Sequence, residues 1–383
     1  MRIVHIADTH LGLSAFHKLD SETGMNLRER LLYDNFLESI DQIIAMRPDA
    51  LVHAGDLFHQ IKPKTRAYTT ALEALHRLCE ADIPLVVIAG NHSMAKTRYT
   101  SSPLEVLEYH SAEVYAAYRS RYRRVELDDT VFHLIPNMPQ AGGYREAFDQ
   151  IEVSSGPNVL VTHGLASSLK DRRLHTVAEY EIDGTILSDQ FEYIALGHFH
   201  GQGQVADNAW YSGSLEYCTY GEINDTKGGL LVDIGRRSVE RIDLPRTPML
   251  GIGRVNCDGL SAKEVMQEIL DAVASAGGIP ERSMCQITLD GIRRETFRAL
   301  DGTALLEIRN RVLDLRFRVI AADETMPVFR EESLLGVDYI REFERFVAMQ
   351  HLNQKQEEYV KAKGAEILET AIRRRKEVES AAP

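Results

Sequence analysis

The chain has 383 residues, room for two or three domains, and its 44% hydrophobic and 26% charged content is that of a soluble globular protein. A formal net charge of −13 argues against a simple basic nucleic-acid binder, but not against a nucleic-acid enzyme whose positive charge is local or supplied by metal ions. Four scattered cysteines without a C-x-x-C pair speak against zinc-finger and disulfide frameworks; with no apolar run of ~18 residues and a first strand starting at Arg2, a cytosolic chain without signal peptide or membrane span is expected.

The first element, 2-RIVHIADTH-10, reads as an apolar strand ending in Asp8 and His10. The spacing of Phe36, Ile40, Ile43 and Ile44 predicts a helix over 34–47. A second strand, 50-ALVHAGDLFH-59, delivers Asp56 and His59, and a helix over 67–81 follows from Leu72, Leu75 and Leu78. A third strand, 86-VVIAGNHS-93, runs into Asn91 and His92. Leu104, Val106, Leu107 and Val114 predict a helix over 101–118. The basic stretch 119-RSRYRRV-125 is either a phosphate contact or a solvated charged face. Two more apolar runs, 158-NVLVTHG-164 and 193-YIALGHFH-200, end in His163 and in His198 and His200.

Two prolines in 244-LPRTPML-250 mark a boundary. Beyond it, strands at 250–257, 284–290 and 316–320 with helices over 261–276 and 303–313 form a small α+β unit without a catalytic constellation. From Glu331 the pattern is helical, with an aromatic stripe of Tyr339, Ile340, Phe343, Phe346 and Val347. A second helix carries Val360, Leu368 and Ile372, ahead of 373-RRRK-376.

Alternating strands and helices with nearly continuous apolar strands imply a mostly parallel, doubly covered sheet. Ligands bind such sheets beyond the carboxyl ends of the strands, where all five segments place their polar residues. Carboxylate, imidazole and amide donors without thiolate suit manganese, iron or zinc. Seven of them (Asp8, His10, Asp56, Asn91, His163, His198 and His200) exceed the needs of one open catalytic ion and suit two ions about 4 Å apart sharing a carboxylate. Phosphoester hydrolysis is the natural chemistry of such a pair. A lone strand-end histidine is more often packed than ligating, and His5, His53, His110 and His133 receive no role.

In order, D-x-H, G-D-x-x-H, G-N-H, T-H-G and G-H-x-H resemble the calcineurin-like metallophosphoesterases. Within them, 3-IVHIADTHLG-12, 54-AGDLFH-59, 195-ALGHFH-200 and 210-WYSGSLEYCTYGE-222 are most similar to the nuclease subunit of the double-strand-break repair complex, the SbcD or meiotic-recombination-eleven type. The resemblance implies an α/β fold with a four-layer αββα core over 1–244, an α+β capping domain over 245–328 and a helix-loop-helix tail over 329–383. It implies a first manganese on Asp8, His10, Asp56 and His200, and a second on Asp56, Asn91, His163 and His198, with iron or zinc as alternatives. His92 would be the general acid and His59 would sit beside the phosphate, directing exonuclease action. Manganese-dependent 3′-to-5′ exonuclease action on duplex ends and endonuclease action on single strands are implied in turn. So are a homodimer through the region of 64–118, DNA contacts from Arg293, Arg294 and Arg298, and docking of the tail on the coiled-coil base of an SMC-like ABC-type ATPase. One departure is Ser93, where the family carries an acidic residue, and a hydrogen bond from this serine in support of His92 is expected. The competing readings are a phosphoesterase acting on a small or protein substrate, and a non-catalytic scaffold at DNA ends.

Overall fold

The computed structural model describes residues 1–95, 100–140, 142–167, 182, 184–321, 343, 347 and 356–365. Its first strands are β1 (Arg2–Ile6), β2 (Ala50–His53), β3 (Leu85–Ile88) and β4 (Val114–Ala117), all parallel, with α1 (Leu27–Ala45) and α2 (Thr65–Glu80) as the first crossovers. The chain continues through β5 (Arg123–Leu127), β6 (Thr130–Ile135), α3 (Gly143–Phe148), β7 (Asn158–His163), β8 (Tyr193–Gly197), β9 (Gly203–Ala206) and β10 (Ala209–Tyr211). These strands make a second sheet in the order β5-β6-β7-β8-β10-β9. Then β11 (Gly229–Asp233) and β12 (Ser238–Ile242) return to the first sheet, giving β12-β11-β1-β2-β3-β4.

Every residue of β2, β3, β7 and β8 is buried, which requires cover on both faces. On one face of the first sheet, Val4, Ile6, Leu51 and Val87 meet Leu32, Phe36 and Ile40 of α1 and Leu75 and Leu78 of α2. On the other, Ile3, Val52, Val86 and Ile88 meet Phe132, Leu134, Val159 and Val161 of the second sheet. The far face of that sheet, with Leu160, Ile194 and Leu196, lies under Tyr144 and Ala147 of α3, Ile186 and Phe191. The layers are therefore α, β, β and a thinner α, as the resemblance implies.

Two expectations need correction. The helix over 101–118 is a short 3-10 helix, Pro103–Tyr109, followed by strand β4, whose Val114 pairs with Leu85. Ser102 and Pro103 start a helical turn, but 110-HSAE-113 offers no apolar continuation. The edge of β3 needs backbone partners, and the apolar run 114–117 supplies them. The other correction concerns α1, which begins seven residues before the expected 34, where the Asn26 side chain accepts the Glu29 amide hydrogen at 3.1 Å.

Past the second sheet come β13 (Met249–Asn256), α4 (Ala262–Ser275), β14 (Met284–Ile292), α5 (Arg294–Arg298), α6 (Leu306–Arg311) and β15 (Asp314–Ala321). The three strands form a sheet in the order β13-β14-β15. By contact density the chain divides into two units. One comprises Met1–Gly251, Ile279–Gln286 and Glu307–Leu315, and the other Ile252–Gly278, Ile287–Leu306 and Arg316–Pro383. In the second unit, α4 starts with a capping box between Ser261 and Glu264 and buries Val265, Met266 and Ile269. In the tail, Phe343, Val347 and residues 356–365 are helical, and the Phe343 ring lies against Gly364, where any Cβ would overlap it. Tyr339, Ile340, Phe346, Leu368, Ile372 and 373–376 lie outside the described residues. Among the described residues no helix is long and apolar enough to cross a membrane.

Candidate metal centre

All nine side chains singled out by the strand-end pattern collect at the carboxyl ends of the two sheets, and four of them sit on strained backbone. Asp8, His10, Asp56 and His198 have φ of 52°, 48°, 54° and 100°. That region costs an L residue roughly 1–3 kcal/mol and persists where the surroundings impose it, typically at functional sites. Here the loops after β1 and β2 run side by side, with the Asp8 amide donating to Gly55 O and that of His10 to Asp56 O, both at 3.0 Å. Each carboxylate is then fixed by an amide from another loop. The His198 N–H donates to Asp8 Oδ2 and the His92 N–H to Asp56 Oδ1, both at 2.9 Å.

His163 Nδ1 lies 2.8 Å from Ala54 O, an acceptor only, so this nitrogen carries the hydrogen. Its Nε2 then points a lone pair at Asn91 Oδ1, 3.0 Å away, and at Asp56 Oδ2, 3.4 Å away. These three atoms close on one small space that a cation or an added proton can fill. Burial opposes a charge on His163, yet the Asp56 carboxylate overrides it and raises the ring to about 9. Burial likewise opposes the charge on Asp56, and the His163 ring beside it outweighs this and holds the carboxyl far below its usual range. This pocket favours positive charge between the two side chains. His198 Nδ1 completes the group, 3.3 Å from Asn91 Oδ1.

Beside it, His10 Nε2 and His200 Nε2 face each other at 3.1 Å. Burial, against the pull of Asp56, keeps the His10 ring neutral and its lone pair available. His59 and His92 flank His10, their rings stacked at 5.1 Å and 23°. His92 Nδ1 lies 2.7 Å from the His59 carbonyl. Three sets of donor atoms lie within 4.8 Å of one another: Asp8, Asp56 and His163; His10, His59 and His92; and His10, His200 and Cys218. Imidazole, carboxylate and thiol donors of metal-ligating type converging in this way fit divalent cations.

Gly90 makes the Asp56–His163 pocket possible, since a Cβ there would overlap the Asp56 carboxylate and His163 Nε2. Gly90→Ala should push Asp56 aside and lower activity about 10²-fold, the order expected for a displacement of ~1 Å. Metal titration of the folded variant should show weaker binding, and unchanged binding would mean that the pocket relaxes around the methyl group.

Three residues were missed by sequence reasoning. Glu222 Oε1 lies 3.1 Å from His200 Nδ1, and the Lys227 ammonium binds Glu222 Oε2 at 2.7 Å, His200 O at 2.9 Å and Ser214 Oγ at 2.9 Å. Burial would raise the Glu222 carboxyl, but His200 and Lys227 outweigh it and hold it at about 2. Glu222 ends 210-WYSGSLEYCTYGE-222, one of the segments that carry the resemblance, but was given no role there; nothing in the sequence marks Lys227. The third is Cys218, absent from the expected donor set: the turn after Glu216 carries its sulfur to within 4.8 Å of a nitrogen each of His10 and His200.

Ser93 does not support His92. Its hydroxyl is buried without a hydrogen-bond partner among the described residues, and the His59 carbonyl holds the imidazole instead. The histidines given no role are structural. His5 bonds Tyr193 Oη at 2.9 Å, His53 bonds Thr9 Oγ1 at 3.0 Å, and His133 lies between Tyr122 Oη and Asn158 Oδ1. His110 Nδ1 accepts the Ala112 amide hydrogen.

A family model described as calcineurin-like phosphoesterase matches residues 1–214, and the chain belongs to this family of metal-dependent phosphoesterases. More narrowly, it is similar to proteins named DNA double-strand break repair protein Mre11. That of Methanococcus maripaludis is 28% identical over 262 residues, 64% of this chain and 67% of the relative. That of Methanocaldococcus jannaschii is 27% identical over 273 residues, 64% and 66% of the two chains. That of Sulfurisphaera tokodaii is 30% identical over 200 residues, 52% and 49%. The chain thus matches about half to two thirds of the length of these relatives, and the resemblance drawn from the strand-end pattern is borne out.

Proposed function

We propose that this protein is a DNA nuclease of the Mre11 type, hydrolysing phosphodiesters with two divalent cations per chain and manganese as the activating ion. The observation that carries the reading is the meeting of seven donor side chains from five strand ends around two carboxylates. Asp8, His10, Asp56 and His200 would hold one cation, and Asp56, Asn91, His163 and His198 the other. When bound, such a pair supplies Lewis acidity toward a phosphodiester and its attacking water.

The chain's own residues orient the substrate and move the proton. Because the His59 carbonyl only accepts, the His92 Nδ1 hydrogen is committed to it, and the proton given to the leaving 3′ oxygen comes from Nε2. His59, stacked on that ring, keeps it from turning and lies beside His10, where the scissile phosphate is bound.

In this reading duplex ends are shortened 3′ to 5′ and single strands are cut internally. The segment 245–328 contacts DNA through Arg293, Arg294 and Arg298, and the tail over 329–383 docks an SMC-like ABC-type ATPase. Val106 and Tyr109, 38% and 87% exposed beside α2, supply apolar surface for a homodimer. End-labelled duplex DNA should shorten from its 3′ end with manganese and remain intact with chelator. Survival of the DNA while a small phosphodiester is hydrolysed under the same conditions would replace the DNA reading by that of a small-substrate phosphoesterase.

A further inference from the structure

We propose that Cys218 is a thiolate donor to the cation held by His10 and His200, and that it makes this position softer than its neighbour, so that zinc and iron compete better there against the activating manganese. The inference rests on the two-cation reading above. Its basis is the convergence of Cys218 Sγ with one nitrogen each of His10 and His200 inside 4.8 Å. The same carboxylate positions both new partners. Glu222 Oε1 binds His200 Nδ1 at 3.1 Å, and Glu222 Oε2 accepts the Cys218 amide hydrogen at 3.0 Å. Lys227 anchors that carboxylate at 2.7 Å, so the thiol-bearing turn and the imidazole are held by one clamp.

The thiol already meets the His200 ring as a hydrogen-bonding neighbour, and its sulfur lies 3.9 Å from Glu216 O. The contrast with Cys257 and Cys285 is plain. Both are buried, with sulfur 3.5 Å from Val255 O and 3.4 Å from Ser283 Oγ, and burial pushes both thiols up. Cys79, on α2, belongs to no donor group among the described residues.

Donor chemistry gives the consequence. The group around Asn91, His163 and His198 offers oxygen and nitrogen only, whereas the His10 and His200 side gains sulfur. Thiolate raises affinity for zinc and iron more than for manganese, so the two positions would differ in the ion they retain. On binding, Cys218 releases its proton to solvent and the sulfur lone pair forms the new bond.

The test uses the full chain stripped with chelator and loaded with cobalt(II). Two bound ions with visible d–d bands and a near-ultraviolet thiolate-to-cobalt band are expected. The near-ultraviolet band should vanish in Cys218→Ser, whose d–d bands stay, and should remain in Cys79→Ser. After equilibration with equal zinc and manganese, the zinc-to-manganese ratio of the desalted protein should fall about tenfold or more in Cys218→Ser. In the unaltered chain, zinc should slow alkylation of Cys218, read by mass spectrometry, which supports the assignment without any substitution. Two bound cobalt ions without the thiolate band, or alkylation of Cys218 unaffected by zinc, would overturn the thiolate while leaving the two-cation centre standing. No bound cobalt would remove both.

Discussion

His92→Gln should lower the rate of DNA cleavage by about 10²–10⁴-fold and leave the metal content unchanged. The contribution of His92 to Asp56 is made by its backbone amide, 2.9 Å from Oδ1, and a side-chain substitution keeps that bond. Glutamine is near in size and can still donate to the His59 carbonyl, which the imidazole now meets at 2.7 Å. What it lacks is a proton to give up. The loss should therefore depend on the leaving group, large for a 3′ hydroxyl of DNA and small for a nitrophenyl phosphodiester that departs without help. Rates on both substrates, beside metal analysis of the same preparation, check this. An equal loss on both would make His92 a binding or positioning residue, and full activity on DNA would move the acid elsewhere.

The readability of this site follows from how its parts are built. An apolar strand that ends in Asp, Asn or His is a local pattern, so β1, β2, β3, β7 and β8 and all nine side chains at their ends could be read from short stretches. Their convergence followed from one rule about parallel sheets. Strand β4 was not legible, because Val114–Ala117 becomes a strand by pairing with β3, and helical spacing of Leu104 and Leu107 masked the change of period. The clamp behind His200 was hidden for a related reason. Glu222, Lys227 and Cys218 reach it through the return of the chain after β10, and no spacing along 200–227 announces that turn. The early start of α1 was missed because 27-LRER-30 looks like a solvated stretch, yet Arg28 and Glu29 are buried.

That buried Arg28 should be worth more to stability than any other charged residue of α1: Arg28→Met is expected to cost about 3–5 kcal/mol. Arg28 and Glu216 are 1% and 2% exposed. The guanidinium bonds Glu216 Oε2 at 2.9 Å, Thr247 Oγ1 at 2.8 Å and Tyr217 O at 2.9 Å. Removing it leaves the Glu216 carboxylate buried with neutral donors alone, the Asn35 amide at 2.6 Å and the Thr247 N–H at 3.1 Å. The cost is thus that of an orphaned charge rather than of a lost attraction, and it has a signature. Arg28→Met combined with Glu216→Leu should recover much of the loss, since an apolar pair in that volume can match or exceed a buried ion pair. Urea unfolding of the three proteins measures this, and equal midpoints for the single and double variants would mean that packing, not charge, sets the effect. Glu216 stands two residues before Cys218, so the single variant should also loosen the turn that carries the thiol. If Arg28→Met weakens the thiolate-to-cobalt band and the double variant restores it, α1 holds the metal-selecting turn through this ion pair. If the band is indifferent to both, the Glu222–Lys227 clamp holds Cys218 without help from Glu216.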